Sequence, residues 1–488
     1  MNIISDSCFI NFISKTDLSN FEKLENTVKE SFIVKQISNI FYNIKSCFKS
    51  CSADSIFCKY IDGLILANLL ILMVAITFTS TTILGILVST SLILTLLRWF
   101  LVPDESHNFT MFDVPILLYV MIAVVSVAFS SYFMPSLKGF TKILIYLASY
   151  IAFTNIFKGK VWKIYFILAA LAISGGLESL YGIYQKVVGV EALATWQDME
   201  SLRADQEMSR VYGTLLPYNP NLMAGYLLPI FPCALAMSII FFIKRYWLAG
   251  ITFLSFSCTT LLCIVFTGSR GAYIGVVFMA ILIYFIAGHL IWNEFSSFKY
   301  SKYLKMGWIF SALAIVSFIV VAFLFVPALH DRVMSIFTLR GNSSNSYRMN
   351  VYIASIKMIL DNWLIGIGPG NTTFRLVYGL YMVTGFDALG TYSVPLEIAV
   401  EMGIVGLIAF AWFALIMISN AIKTFLGTDN LEVKILIATV LTAFAGIAGQ
   451  GVFDTIWYRP QVHIIFWAMV AILSCIVSKK VLFNGKNQ

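Results

Sequence analysis

KGFTKILIYLASYIAFTNIFKGKVWKIYFILAALAISGGLESLYGIYQ, residues 138–185, is the stretch whose reading decides the fold. It is too long and too apolar to be one helix across a bilayer, which needs about 20 residues. Its middle is interrupted by Lys158-Gly159-Lys160 and Lys163. Two spans joined by a tight lysine-bearing turn satisfy both facts. Each helix satisfies its own backbone in hydrocarbon, and the cations stay in water. The same hydropathy reading extends both ways. It gives twelve spans at roughly 63–80, 82–101, 113–131, 138–157, 161–185, 222–242, 247–266, 271–291, 306–326, 396–422, 435–453 and 462–477. The first two are nearly continuous, with a hinge near Ser80–Thr82. The chain is 59% hydrophobic and 12% charged, with a mean hydropathy of +0.85, which excludes a soluble globular protein. The fold class is all-α: a polytopic helical membrane protein of about twelve transmembrane helices, with a large external loop between spans nine and ten.

Lysines orient the spans. They cluster at 15–59, 158–163, 244, 299–305, 423–434 and 479–486. With the N-terminus inside, strict alternation puts every one of these clusters on the cytoplasmic side and brings both termini there, as the positive-inside rule requires. The net charge of +8 is then a topology signal. The lysines are scattered over short loops and make no continuous basic face, so nucleic-acid binding is excluded. Residues 1–60 read as a cytoplasmic N-terminal region, polar and without the pattern of a cleavable signal peptide. Within it Ile33, Ile37, Phe41, Ile44 and Phe48 have helical spacing between lysines, predicting a helix lying on the inner leaflet. Residues 61–488 form the membrane domain. Four cysteines lie in spans and four in the N-terminal region, where Cys47, Cys51 and Cys58 lack a nearby fourth ligand. His107, His289, His330 and His463 fall at span ends, none with a second histidine at metal spacing, and read as surface or capping residues. No metal and no cofactor is expected.

Arginines follow another rule. Arg203, Arg210, Arg270, Arg332, Arg340, Arg348, Arg375 and Arg459 fall in the outer loops, where topology does not ask for them. Arginine grips phosphate or carboxylate with a planar two-point fork, so the outer face is expected to handle an anion. Two outer loops are long, about 186–220 and 327–395. The first ends in Arg210-Val211-Tyr212-Gly213-Thr214 and Asn219-Pro220-Asn221. Asn221 can cap the next helix, whose N-terminus with Arg210 makes an anion seat, or a plain cap. The second carries Arg348, Tyr352 and Ser355 on one stripe of an amphipathic helix running to about Trp363. Gly366-Ile367-Gly368-Pro369-Gly370 follows, read either as a helix stop or as a phosphate-binding backbone nest assisted by Arg375. Arg270, in Thr267-Gly268-Ser269-Arg270-Gly271-Ala272, sits at the membrane edge and is a candidate ligand or a snorkelling side chain. Glu178 is an intramembrane acid, which needs a partner, such as an outer arginine, or water. Glu397 and Glu401 stand one turn apart at the start of the tenth span.

The run Arg348…Trp363-Leu364-Ile365-Gly366-Ile367-Gly368-Pro369-Gly370, followed by Leu396-Glu397-Ile398-Ala399-Val400-Glu401-Met402-Gly403-Ile404-Val405-Gly406, resembles the O-antigen ligase/polymerase superfamily. Thr267–Ala272 and Arg210…Asn219-Pro220-Asn221 match in the same order, and the resemblance covers roughly 160–425. It implies a glycosyltransferase of the cell envelope, as in lipopolysaccharide biosynthesis. Such an enzyme moves glycan from undecaprenyl diphosphate to a glycan or lipid acceptor at the external face of the bacterial inner membrane, without metal or nucleotide. Arg210, Arg270 and Arg348 would stabilise charge on the diphosphate. The ligase pattern has a histidine ten residues before the glycine of Glu-x-Gly, where this chain has Tyr392, a poor base with an ordinary pKa of about 10. Tyr392, Asp387 and Glu397 are the catalytic candidates, with Glu401 beside them. The string from Phe386 to Glu397 is similar to a cyanobacterial branch of the superfamily described as bicarbonate transporters, so a small-anion carrier is the alternative function.

Overall fold

The computed structural model describes residues 55–102, 110–190, 210–294, 300–325, 343–383, 387–479 and 481–482, with isolated residues 36, 39, 43 and 296. Apart from those isolated positions, the expected helix at 33–48 lies outside the described residues, as do Arg203, Arg332, Arg340, His107 and His330. In chain order the elements are α1 (Ile56–Ala75), α2 (Thr81–Leu101), α3 (Asp113–Ala128), α4 (Phe133–Phe157), β1 (Gly159–Lys160), α5 (Val161–Val188), α6 (Pro220–Ile243) and α7 (Trp247–Phe266). They continue with α8 (Arg270–Asn293), α9 (Ser301–Phe325), α10 (Ser343–Asp361), α11 (Asn371–Tyr378), α12 (Val394–Gly427), α13 (Leu431–Gly451), α14 (Pro460–Val477) and β2 (Val481–Leu482).

The protein is an all-α polytopic membrane protein. Each expected span coincides with a helix, α1 to α9 and α12 to α14. Among the described residues ten helices are long and apolar enough to cross a membrane, and α3 is a shorter apolar helix. Side chains set the ends. Ser80 caps α2 by accepting from the Ile83 amide, and Ser269 caps α8 from Ala272. Asn430 caps α13, and Asn219, followed by Pro220, caps α6. The cap of α6 is therefore Asn219, two residues earlier than the Asn221 expected from sequence. Proline at the first helical position has no amide to satisfy and pre-sets φ, which fixes the start there.

Burial orders the bundle from inside out. The apolar window of α14 is 100% buried and those of α6 and α13 are 67% buried, whereas that of α8 is 17% buried. The last helix is therefore the axis of the protein. This corrects the reading of His463 as a surface residue. It lies within α14, packed between Tyr146 at 4.3 Å and Trp457 at 4.2 Å, because an axial helix has no surface side.

The two ends differ chemically. At one end Asp62 receives both Arg98 (2.5 Å) and Lys163 (3.1 Å), and Lys244 pairs with Glu432 (3.2 Å). There β1 pairs with β2, so the 158–163 turn and the chain's last described residues share one end. At the opposite end Glu178 of α5 accepts from the Thr214 amide (2.6 Å) and hydroxyl (2.7 Å), and Gln185 accepts from the Gly213 amide (2.9 Å). The intramembrane acid thus holds the chain leading into α6 rather than an arginine. Lys138, Lys142 and Lys186 also fall at this end, so the lysine sorting is a bias and not a rule.

On α10 the buried side chains are Val351, Ala354, Ser355 and Met358, while Met349, Ile353, Ile356 and Leu360 are exposed. Ser355, expected on one polar stripe with Arg348 and Tyr352, is buried, whereas Arg348 and Tyr352 are half-buried. Apolar side chains lie on both the buried and the exposed sides of the helix.

If the lysine end is cytoplasmic, a single cysteine at exposed Lys302 in a cysteine-free background should resist an impermeant maleimide added outside intact cells. One at exposed Leu380 should react. The opposite labelling would reverse the orientation.

Candidate active site at the outer end

The site begins with a broken helix. Within α12, Gly403 has φ 66° and ψ −172°, a conformation essentially reserved for glycine. The break strands backbone groups inside the bundle, and the segment after α10 pairs with them. The Ile367 amide donates to Val400 O (3.0 Å), the Gly368 amide to Glu401 O (3.0 Å), and the Ile404 amide to Trp363 O (2.8 Å). The Ser126 hydroxyl adds a bond to Glu401 O (2.7 Å), and Ser130 donates to Ile367 O (2.6 Å). The Gly370 amide donates to the Glu401 carboxylate (2.7 Å), which also accepts from the Tyr458 hydroxyl (2.6 Å). These donors of the glycine run are thus bonded within the protein. The phosphate-nest reading of 366–370 is corrected: the anion seated on the Gly370 amide is Glu401, brought there by the break.

The candidate residues fall into separate groups. Arg210 donates through Nε to Thr267 O (2.8 Å) and through Nη2 to Asn221 Oδ1 (2.7 Å). It joins the start of α6 to the loop that opens α8 with Arg270. Arg210, Asn221 and Arg270 therefore share one patch, and much of Arg210's fork is engaged. Arg375 and Asp387 form an exposed ion pair at 2.9 Å through one carboxylate oxygen of Asp387. Arg348 lies over the Tyr392 ring, 5.7 Å from its centroid, and Tyr347 meets the same ring edge-on at 6.0 Å. Tyr392 itself has φ 54°, and its amide donates to Thr455 Oγ1 (2.9 Å). Burial, together with neighbouring Tyr347 and Asp454, pushes its phenol well above the ordinary range, so it holds its proton at neutral pH. Glu397 is 1% exposed, and neither carboxylate oxygen has a hydrogen-bond partner among the described residues. Glu401, Thr455 and Arg459 are the polar and charged groups nearest to it.

The residues that the sequence reading left out lie between α13 and α14. Gln450 Nε2 donates to Asn221 O (2.7 Å) and Gln461 Nε2 to Leu216 O (2.9 Å), so both ends of the 452–459 loop clamp the chain entering α6. On its other side Thr455 holds Tyr392 and Tyr458 holds Glu401. Arg459 lies within Coulombic reach of Asp454, Tyr146, Tyr392 and Glu397, and burial lowers its guanidinium from its usual value. The loop is short and carries no glycine or proline run, so the only sequence signal was Arg459 itself, at an outer span end.

Residues 253–411 match the O-antigen ligase family. The matched stretch runs from α7 into α12 and contains Arg270, Arg348, the glycine run and the break at Gly403. It supports the superfamily to which the motifs pointed, and with it a glycan ligase- or polymerase-like membrane protein. Curated proteins give no match. Arg210, Asn221, Glu178 and the 452–459 loop lie outside the matched stretch.

A Cβ at Gly403 would stand 2.3 Å from the Leu364 carbonyl, whereas one at Gly427 would meet nothing within 4 Å. Gly403→Ala is expected to cost roughly 3 kcal/mol or more through backbone strain and clash. Gly427→Ala should leave thermal unfolding of the detergent-solubilised protein within experimental scatter. Equal unfolding midpoints for both variants would mean that the break is not imposed by Gly403.

Proposed function

We propose that the protein transfers glycan from undecaprenyl diphosphate to an acceptor hydroxyl at the outer face of the bacterial plasma membrane, with both termini cytoplasmic. In this reading residues 61–488 form the catalytic domain and residues 1–60 a cytoplasmic appendage. The observation that carries it is the Glu397 carboxylate, buried near Arg459 and, among the described residues, with no hydrogen-bond partner within bonding geometry for either oxygen.

The transfer breaks the bond between the sugar's anomeric carbon and the phosphate oxygen. The electron pair leaves with the diphosphate, the acceptor oxygen bonds to the anomeric carbon, and the acceptor proton goes to a base. Glu397 is the base that suits this site. Glu401 is committed to Gly370 and Tyr458, Asp387 to Arg375, and the Tyr392 phenol keeps its proton. Arg348, beside Tyr392, supplies positive charge to the leaving diphosphate, worth most in a site that excludes water. Lipopolysaccharide assembly is the setting in which such a reaction is used.

The test is reconstitution in proteoliposomes with an undecaprenyl-diphosphate-linked oligosaccharide, scored by consumption of the lipid donor. Glu397→Gln should lower turnover by about 10²–10⁴-fold, the usual value of a general base. Tyr392→Phe should cost less than about tenfold and leave the pH profile unchanged up to about pH 10, the ordinary phenol pKa. If the wild type consumes no donor with several acceptors, yet takes up bicarbonate in a manner abolished by Arg348→Ala, the protein is an anion carrier.

A further inference from the structure

A cavity of about 350 Å³ lies at the outer end of α5. It shares no residue with the Tyr392 and Glu397 group and lies outside the stretch that matches the O-antigen ligase family. Among the described residues its walls are Tyr181, Gln185 and Val190 on one side and Tyr212, Gly213, Thr214 and Tyr218 on the other. Hydrogen bonds join the two walls. Gln185, 5% exposed, accepts from the Tyr212 (3.2 Å) and Gly213 (2.9 Å) amides, and the Thr214 hydroxyl bonds Glu178 (2.7 Å). Gly213 has φ 66°, and a Cβ there would stand 1.9 Å from the Glu178 carboxylate, so the loop closes on α5 only as glycine. Gln185 Nε2 lies 3.5 Å from Gly213 O, at the outer limit of a hydrogen bond, and is a buried donor with capacity left for a ligand. Three tyrosines thus surround one buried amide.

Among the described residues no charged side chain lines the cavity, so it offers no counter-charge to a phosphate or a bicarbonate ion. A purely apolar ligand, such as a lipid chain, would leave the Gln185 amide unpaired. A pyranose ring suits both features. Its axial C–H groups, slightly positive, pack on the negative face of an aromatic ring, and its hydroxyls bond amides and phenols. The volume is near the small end of the range for small-molecule sites, about 300–1,000 Å³, and gives room for about one or two such rings. An aromatic belt at the membrane interface accounts for exposed Tyr184, but gives no reason for a cavity floored by a buried glutamine.

We propose that this cavity is a subsite for a neutral pyranose ring of a glycan. That the ring belongs to the donor or the acceptor of a transfer reaction rests on the transfer reading above. The subsite is not where the bond breaks. Its second wall belongs to the chain entering α6, which is tied through Leu216 O to Gln461 and through Asn221 O to Gln450. Those glutamines flank the loop whose Thr455 holds Tyr392. A sugar in the cavity therefore anchors the glycan at a distance while another of its rings reacts, and this remote binding positions the reacting ring.

The experiment is saturation-transfer NMR on the full chain in nanodiscs of phosphatidylethanolamine and phosphatidylglycerol, which avoids sugar-headed detergents that would compete. The probes are the methyl pyranosides of glucose, galactose, mannose, rhamnose and N-acetylglucosamine. At least one should receive saturation at its ring C–H protons. Tyr181→Ala and Tyr218→Ala remove exposed side chains and should fold as wild type, yet each should weaken binding of that sugar about fivefold or more. Tyr303→Ala, an exposed change at the lysine end, should bind as wild type. The proposal is overturned if no probe binds the wild type, if both cavity variants keep wild-type affinity, or if Tyr303→Ala loses as much as they do. The lipid-donor assay separates this proposal from the transfer reading. Sugar binding with the expected pattern, in a protein that consumes no donor, keeps the subsite and removes the transferase. Transfer by a protein whose sugar binding ignores Tyr181 and Tyr218 removes the subsite alone. In a protein that does transfer, the donor glycan and the acceptor are each lengthened from one ring to several. The fall in KM on lengthening should vanish in Tyr218→Ala for the partner that occupies the cavity, and its survival for both partners would sink the proposal.

Discussion

A helix broken inside a membrane protein is the constraint on which the outer half of this molecule depends. Lipid offers no hydrogen bonds, so the groups freed at Gly403 must find protein partners. The segment Trp363–Gly370 supplies them, bonding on both sides of the break through Ile367, Gly368 and Trp363. That pairing determines where α10 ends, where α11 begins, and which way the first two turns of α12 point. Glu401 is carried by those turns onto the Gly370 amide and Tyr458, with Glu397 one turn nearer the start of α12. The glycine run and the Glu-x-Gly motif are two halves of one backbone junction, and neither has a structural reason without the other.

The positions of the apolar helices were legible in the sequence because a run of apolar residues acts within a few residues of itself. Their ends were less so: α6 is capped by Asn219, not by Asn221. Candidate arginines were legible as a class, since outer-face arginines have no topological reason to be there. What was not legible was pairing across hundreds of residues. Nothing near Gly370 says that its amide meets a carboxylate rather than a ligand, and nothing near Asp454–Arg459 says that this loop caps the bundle axis. His463 was misread for the same reason: the order of burial among helices is a property of the whole bundle. Glu178 drew notice as a costly intramembrane charge, but its partner, Thr214, is a neutral side chain and amide that no charge-pairing rule would select.

The arginines also show that a shared residue type does not mean a shared task. Arg210 spends its donors on Thr267 O and Asn221, and Arg375 spends its own on Asp387. A guanidinium engaged with the protein fixes geometry and has fewer donors for a ligand. Arg348 instead rests 5.7 Å from the centroid of an aromatic ring, where the attraction is weak, about 0.5–1 kcal/mol at exposed sites.

Tyr392 gains a meaning from this division. In the ligase pattern its position belongs to a histidine that can take a proton, and a buried phenol cannot do so near neutrality. The tyrosine offers a flat ring for Arg348, a positive-φ turn, and an amide for Thr455. Each of these roles positions something else. In the proposed reading the base role that the ligase pattern gives to a histidine passes to Glu397, and Tyr392 keeps only a positioning role. Glu397 can serve only while it stays clear of stronger partners.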